Sequence, residues 1–225
     1  MNDLEKMNTF LESVDLEKYR AKYSRIKLVE LDLDKNIQAL RHLYDEYWMK
    51  RDNFPSYDDF YKKYSCDLRE ELEAFRCDTM FSEETFYRGL PARIYRTWAS
   101  LLTQIQGGYV AETIYGPGNV KMSECLDRKG IDIQILDGGE TLNIQIKKET
   151  MSREVRTPWQ RMRRQEIITF VYYEVPGCGP KTKTGRLSKP FQDWQDKWDK
   201  KLCRLDNGFI VFLPDMFERN NIRIP

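Results

Sequence analysis

The stretch "GIDIQILDGGETLNIQIKKET", residues 130–150, constrains this chain more than any other. Aliphatic residues alternate with polar ones on either side of "DGGE", 137–140. Alternation of period two marks strands with one buried face. The adjacent Gly138 and Gly139 supply the positive φ that a two-residue hairpin turn requires. The chain is therefore expected to double back here, with strands at 130–136 and 141–148. Ile131, Ile133 and Ile135 fall on one side with Leu142, Ile144 and Ile146, and Asp132 on the other with Asn143, Gln145 and Lys147. Pairing about the glycines sets Asp132 opposite Gln145. Directly opposed residues lie ~5 Å apart and diagonal ones ~7–8 Å. The spacing predicts one patch holding Asp132, Gln145 and Lys147, with Lys148 turned to the other face.

A carboxylate such as Asp132, with an amide oxygen or a main-chain carbonyl such as that of Ile146, is a ligand set for a hard divalent cation. Such an ion lowers the pKa of a bound water and offsets charge developing on a phosphoryl group. A nearby lysine positions the nucleophile or stabilises the transition state. Asp127, just before Asp132, and Glu112, near the end of the preceding helix, are candidates to complete the set. The same spacing also describes an exposed hairpin face with an incidental Asp–Lys pair.

The elements around the hairpin are legible from periodicity. Helices are expected at roughly 4–24, 34–51 and 57–76, with Tyr44, Tyr47, Trp48, Phe60 and Tyr61 packing their joins. A long helix follows from about 83 to 115, its stripe formed by Ile94, Trp98, Leu101, Leu102, Ile105 and Tyr109, and "YGPGN" ends it. "IITFVYY", 167–173, reads as a central strand buried on both faces. A helix is expected over "FQDWQDKWDKKLCRL", with Asp193–Lys197 and Asp196–Lys200 as i,i+4 pairs, and a last strand at 209–213. The expected division is a helical N-terminal region, 1–82, and an α/β unit, 83–225.

Composition narrows the chemistry. The lone histidine, His42, excludes His pairs and His-rich zinc sites, and no G-x-S-x-G elbow accompanies it. Five scattered cysteines without a C-x-x-C pair are expected to be reduced thiols of a cytosol. No apolar run approaches the ~20 residues of a membrane span, and no membrane partner is expected. The net charge of +1 hides an asymmetry: residues 1–90 hold 15 Lys+Arg against 20 Asp+Glu, and residues 91–225 hold 22 against 16. A cationic half suits a polyanion, though a solvated basic face would look the same.

The pattern G-I-D followed by Q-I-K resembles the PD-(D/E)XK nuclease core, and the order helix, three strands, helix, strand resembles its αβββαβ mixed-sheet unit. "DLEKYRAKYSRIKLVELDL", "LYDEYW", "ARIYRTWASLLTQ", "LDRKGIDI", "IQIKKET" and "LDNGFIVF", in that order, resemble the TaqI restriction endonuclease family. The resemblance implies a homodimeric, Mg2+-dependent type II endonuclease, with Mn2+ able to substitute, using a metal-activated water. It would cut double-stranded DNA at a short palindrome, TCGA or a close relative. It further implies a cytoplasmic protein of a prokaryote or virus, with a cognate DNA methyltransferase in the same host. By position, Asp127 and Asp132 match the active-site aspartates, and Lys147 or Lys148 the lysine. Gln145 stands where the broader pattern has a carboxylate, which leaves Asp127 to compensate.

"KKETMSREVRTPWQRMRRQ", 147–165, holds seven basic residues and two acidic ones. Beside a metal-binding patch it is expected to face DNA, with Arg153, Arg156, Arg161, Arg163 and Arg164 as base readers or phosphate clamps. Lys181, Lys183 and Arg186 are expected to bind phosphates. Another PD-(D/E)XK nuclease, of repair or junction-cutting type, and a catalytically inactive DNA-binding protein are the alternatives.

Overall fold

The computed structural model describes residues 1–26, 33–149, 168–177, 179–182, 184–219 and 221–222. The chain forms two compact units, one of residues 1–105 with 206–209 and the other of 106–205 with 210–225. Among the described residues no helix is long and apolar enough to cross a membrane.

The first unit is helical. Helices α1 (Asp3–Ser13) and α2 (Leu16–Tyr23) replace the single helix expected at 4–24. The break has a local cause: Val14 is extended and the Asp15 side chain accepts from the Lys18 amide, starting a new helix. Asn207 holds the break, donating to the carbonyls of Leu11 and Val14. Helix α3 (Leu40–Tyr44) runs into a π-helical turn, Asp45–Met49, and α4 (Tyr57–Asp67) and α5 (Arg69–Asp78) follow. Ser56 caps α4 as its sequence requires.

Helix α6 (Glu83–Tyr115) matches its expected limits and continues through Pro91. Its expected stripe is buried throughout, Trp98 and Ile105 completely. In the first unit α6 packs under rings from the smaller helices. Trp98 lies within 6.4 Å of Tyr19, Tyr47, Tyr57 and Tyr95, centroid to centroid. His42 sits edge-on to Tyr64, a packing position.

The second unit carries a four-stranded sheet of order β1 (Val120–Lys121), β2 (Ile133–Asp137), β3 (Glu140–Glu149), β4 (Ile168–Glu174). The first two pairings are antiparallel and β3–β4 is parallel. The sheet is therefore mixed, as expected, but the closing strand is not part of it. A short helix, α7 (Glu124–Arg128), lies between β1 and β2. Helix α8 (Lys189–Lys197) stops short of the expected 205: Lys200 takes a φ of 60°, and Lys197 bonds Glu174 of β4 instead of Asp193. The released residues form β5 (Leu202–Arg204), which pairs with β6 (Ile210–Phe212) in a second, two-stranded sheet. Gln106, buried on α6, stands in for a further strand beside β6: its amide donates to the Phe212 carbonyl and accepts from the Phe212 amide. Gly107 permits this approach, because a Cβ there would meet the Phe212 ring at 3.0 Å. Cys66, Cys77, Cys125 and Cys203 are exposed and form no disulfide among the described residues, and Cys178 lies outside them.

Candidate active site

The hairpin turns where its glycines require. Asp137 pairs with Glu140, and Gly138 and Gly139 take φ of 57° and 90°, the pair of left-handed conformations that a two-residue turn joining twisted strands needs. Arg219 bridges the two tip carboxylates, to Asp137 at 3.5 Å and to Glu140. From the tip the register runs Leu136–Thr141, Ile135–Leu142, Gln134–Asn143 and Ile133–Ile144. Ile131, Ile133, Ile135 and Ile144 are completely buried, so the predicted apolar face is the core face. Asn143, expected on the polar side, is nonetheless buried, its oxygen accepting from the Gln134 amide at 2.9 Å.

At Asp132 the register breaks, which corrects the expected pairing. Its amide donates to the carbonyl of Ile144, the residue already opposite Ile133. Two successive residues thus face one, as in a β-bulge, a device that re-aims a side chain. The Asp132 carboxylate then accepts from the amide of Ile146 at 2.6 Å. Its bonds straddle Gln145 instead of opposing it. Gln145 is half-buried and registers with Phe170 on β4.

The resulting carboxylate is 6% exposed. Burial pushes it up to about 7; the Ile146 amide opposes the rise, the Asp127 charge adds to it and Lys147 opposes it. Asp127 and Lys147 are therefore within electrostatic reach of Asp132. Asp127 gets there on the one-and-a-half-turn helix α7, capped by Ser123. Gly130, at φ 79°, turns the chain straight back, with its amide on the Asp127 carbonyl and that of Ile131 on the Leu126 carbonyl. Lys147 is half-buried, its ammonium 6.0 Å from the Phe170 ring centroid, at the outer limit of a cation–π contact. Lys148 is exposed and registers with Tyr173.

Tyr173 is a neighbour that sequence reasoning missed. It is buried, and its hydroxyl is pushed up to about 12 by burial and by the Asp132 charge. Its only sequence signal was its place in an apolar strand. Glu112 is buried near the end of α6. No three His, Cys, Asp or Glu side chains come together at metal-binding distance among the described residues, so the Asp127, Asp132, Glu112 set is not preassembled there. Lys181 and Arg186 are exposed on a turn closed by the Lys181–Leu187 bridge and the bond from the Thr182 amide to the Arg186 carbonyl. Arg153, Arg156, Arg161, Arg163, Arg164 and Lys183 lie outside the described residues.

This hairpin sits inside a chain whose residues 4–221 match the TaqI restriction endonuclease model. The chain belongs to the TaqI restriction endonuclease family. It is 34% identical over 219 residues to the type II restriction enzyme TthHB8I of Thermus thermophilus, a match covering 93% of this chain and 83% of that protein. It is 32% identical over 225 residues to the type II restriction enzyme TaqI of Thermus aquaticus, with the same coverage. No solved structure matches the chain. Membership makes a site-specific DNA endonuclease the family activity, double-stranded DNA the substrate class, and a divalent metal ion the general requirement of such enzymes.

Proposed function

We propose that the chain is a type II deoxyribonuclease that hydrolyses phosphodiester bonds in double-stranded DNA at a short palindrome, TCGA or a close relative. In this reading the second unit is a PD-(D/E)XK core, Mg2+ is the metal, and the enzyme works as a homodimer alongside a protective DNA methyltransferase. A palindrome presents two equivalent scissile bonds, which a two-fold pair of active sites matches.

The observation that carries the reading is Asp132: buried, bonded to the Ile146 amide and raised towards neutrality by burial, with the Asp127 carboxylate and the Lys147 ammonium within electrostatic reach. A buried charge of this kind is costly unless paired, and a hard divalent cation is the partner its oxygens fit. Asp132 and Asp127 would hold the ion, with the Ile146 carbonyl and Glu112 as further donors. When bound, the ion supplies a water of lowered pKa and offsets phosphate charge. The chain does the rest. The Ile146 amide fixes the Asp132 carboxylate. The Lys147 ammonium, on the polar face with Gln145, stabilises negative charge developing on the phosphodiester. Lys148, exposed, takes the alternative, lesser role. The arginines of 153–164, with Lys181, Lys183 and Arg186, bind phosphates and base edges.

Incubation with plasmid and Mg2+ tests the reading. Discrete fragments with mapped ends at one palindrome are expected, and Asp132→Ala should abolish them while the protein still retards DNA. Smearing would mean a non-specific nuclease, and retardation without cutting a binding protein.

A further inference from the structure

We propose that the helical unit carries a second binding surface for the phosphate backbone of duplex DNA, built by Arg20, Arg25, Arg93 and Arg96 where α2 meets α6. The nature of the polyanion rests on the nuclease reading above. The surface itself does not, and two of its arginines, Arg20 and Arg25, lie in residues 1–90, where basic residues are outnumbered 15 against 20 by acidic ones.

Hydrogen bonding and ring packing bring the residues together. The Arg96 guanidinium donates to the carbonyl of Ile26 at 3.1 Å, which ties it to the segment just after α2 and one residue from Arg25. The ring of Tyr95 lies 5.4 Å from the rings of both Tyr19 and Tyr23, locking the α6 turn that carries Arg96 onto the α2 turn that carries Arg20. The Arg20 charge is felt at the Tyr95 hydroxyl, where it works against a rise caused mainly by burial. Arg93 stands one turn before Arg96 and is steadied by Thr97 at 3.4 Å.

These cations differ from others in the unit. Lys6 and Arg51 share Asp3, Lys18 holds Asp58, Lys50 and Lys63 share Glu46, and Arg76 holds Glu73. Arg20, Arg25 and Arg96 are exposed and, among the described residues, bonded to no carboxylate. Guanidinium forks suit phosphate oxygens. The rings beneath them are buried, at 5%, 4% and 8% exposure for Tyr19, Tyr23 and Tyr95, and so present no platform for stacked bases. The chemistry fits a charged backbone read without sequence.

The test uses the full chain in metal-free buffer, a fluorescent DNA duplex and a salt series. Removing one phosphate-binding cation should reduce the slope of log affinity against log salt by ~0.9. Arg20→Gln, Arg25→Gln and Arg96→Gln together should therefore flatten it by about 2–3 and weaken low-salt binding by roughly 10-fold or more. The corresponding triple lysine variant should restore most of the slope, which a merely structural role would not do. An unchanged slope in the glutamine variant, or a lysine variant as weak as the glutamine one, overturns the surface. If the wild type cuts DNA and the glutamine variant binds like it, this proposal alone falls. A wild type that neither binds nor cuts sinks the nuclease reading and the surface with it.

Discussion

The buried tyrosines of the helical unit and the buried Asp132 of the second unit hold their polar groups in opposite ways. In the helical unit, the hydroxyls of Tyr47, Tyr57 and Tyr64 donate to the carbonyls of Pro55, Pro91 and Ile37, and the Trp98 indole donates to the Tyr47 oxygen at 2.7 Å. Burial pushes each of these hydroxyls further from ionisation, so they stay neutral and bonded. Such burial adds apolar area at little polar cost. In the second unit, Asp132 is buried with one main-chain bond and a like charge nearby. One arrangement favours folding; the other stores an unfavourable charge where chemistry needs it. A buried polar residue is thus read by how completely its partners satisfy it.

The sharpest way to break this contrast is Asp132→Asn. Cleavage should fall by at least ~10³-fold, the upper range for a single charge-stabilising group. The metal-free protein, however, should become more stable. The carboxyl is held at about 7 against an ordinary 3.8, so between those values the folded chain binds more protons than the unfolded one. Wild-type stability therefore falls as pH rises through that window, and the deficit is complete above pH ~7. Asparagine can still accept from Ile146 and has no charge to strain. Thermal melts in chelator should converge near pH ~4 and separate by roughly 2–4 kcal/mol above neutrality, in favour of the variant. Equal melts at high pH would show that Asp132 is not strained.

How much of this the sequence disclosed depends on the range of the forces involved. The glycine turn, the alternating isoleucines and the 33 residues of α6 are local and periodic, and they form as read. The bulge at Asp132 is not periodic: one amide shifts by one residue to satisfy a carbonyl on another strand, which alternation cannot express. The pairing of Leu202–Arg204 with Ile210–Phe212 was likewise hidden, because those residues continue a helical pattern until Lys200 turns out of it. The break between α1 and α2 was within reach, since Asp15 three residues before Lys18 is an ordinary cap signal. Arg96 reaches the carbonyl of Ile26, and the turn of Arg20 is joined to that of Arg96, only through the packing of Tyr19 and Tyr23 on Tyr95.

The next effect in size separates the two lysines of "QIKK". Lys147 lies within reach of Asp132, whereas Lys148 is exposed opposite Tyr173. Lys147→Ala should slow cleavage by ~10²–10³-fold, and Lys148→Ala by no more than a few-fold. Single-turnover assays on a cleavable duplex decide it, and a reversed order would give the role to the lysine that registers with Tyr173.

The smallest effect comes from the satisfied side of the contrast. Tyr57 is 1% exposed, and its hydroxyl reaches the carbonyl of Pro91, the residue at which α6 lacks a donor of its own. Tyr57→Phe keeps the ring and its packing against Tyr19 and Tyr95 but removes the donor. The net value of such a bond is ~0.5–1.5 kcal/mol, which in a chain of this length corresponds to a melting shift of about 2–4 °C per kcal/mol. The loss should be the same from pH 5 to pH 8, because the hydroxyl stays neutral throughout that range. Asp132→Asn gives a pH-dependent gain, and Tyr57→Phe should give a flat loss. A pH-dependent loss at Tyr57, or a gain, would mean that the helical unit also holds strained polar groups and that the difference between the two halves is one of degree.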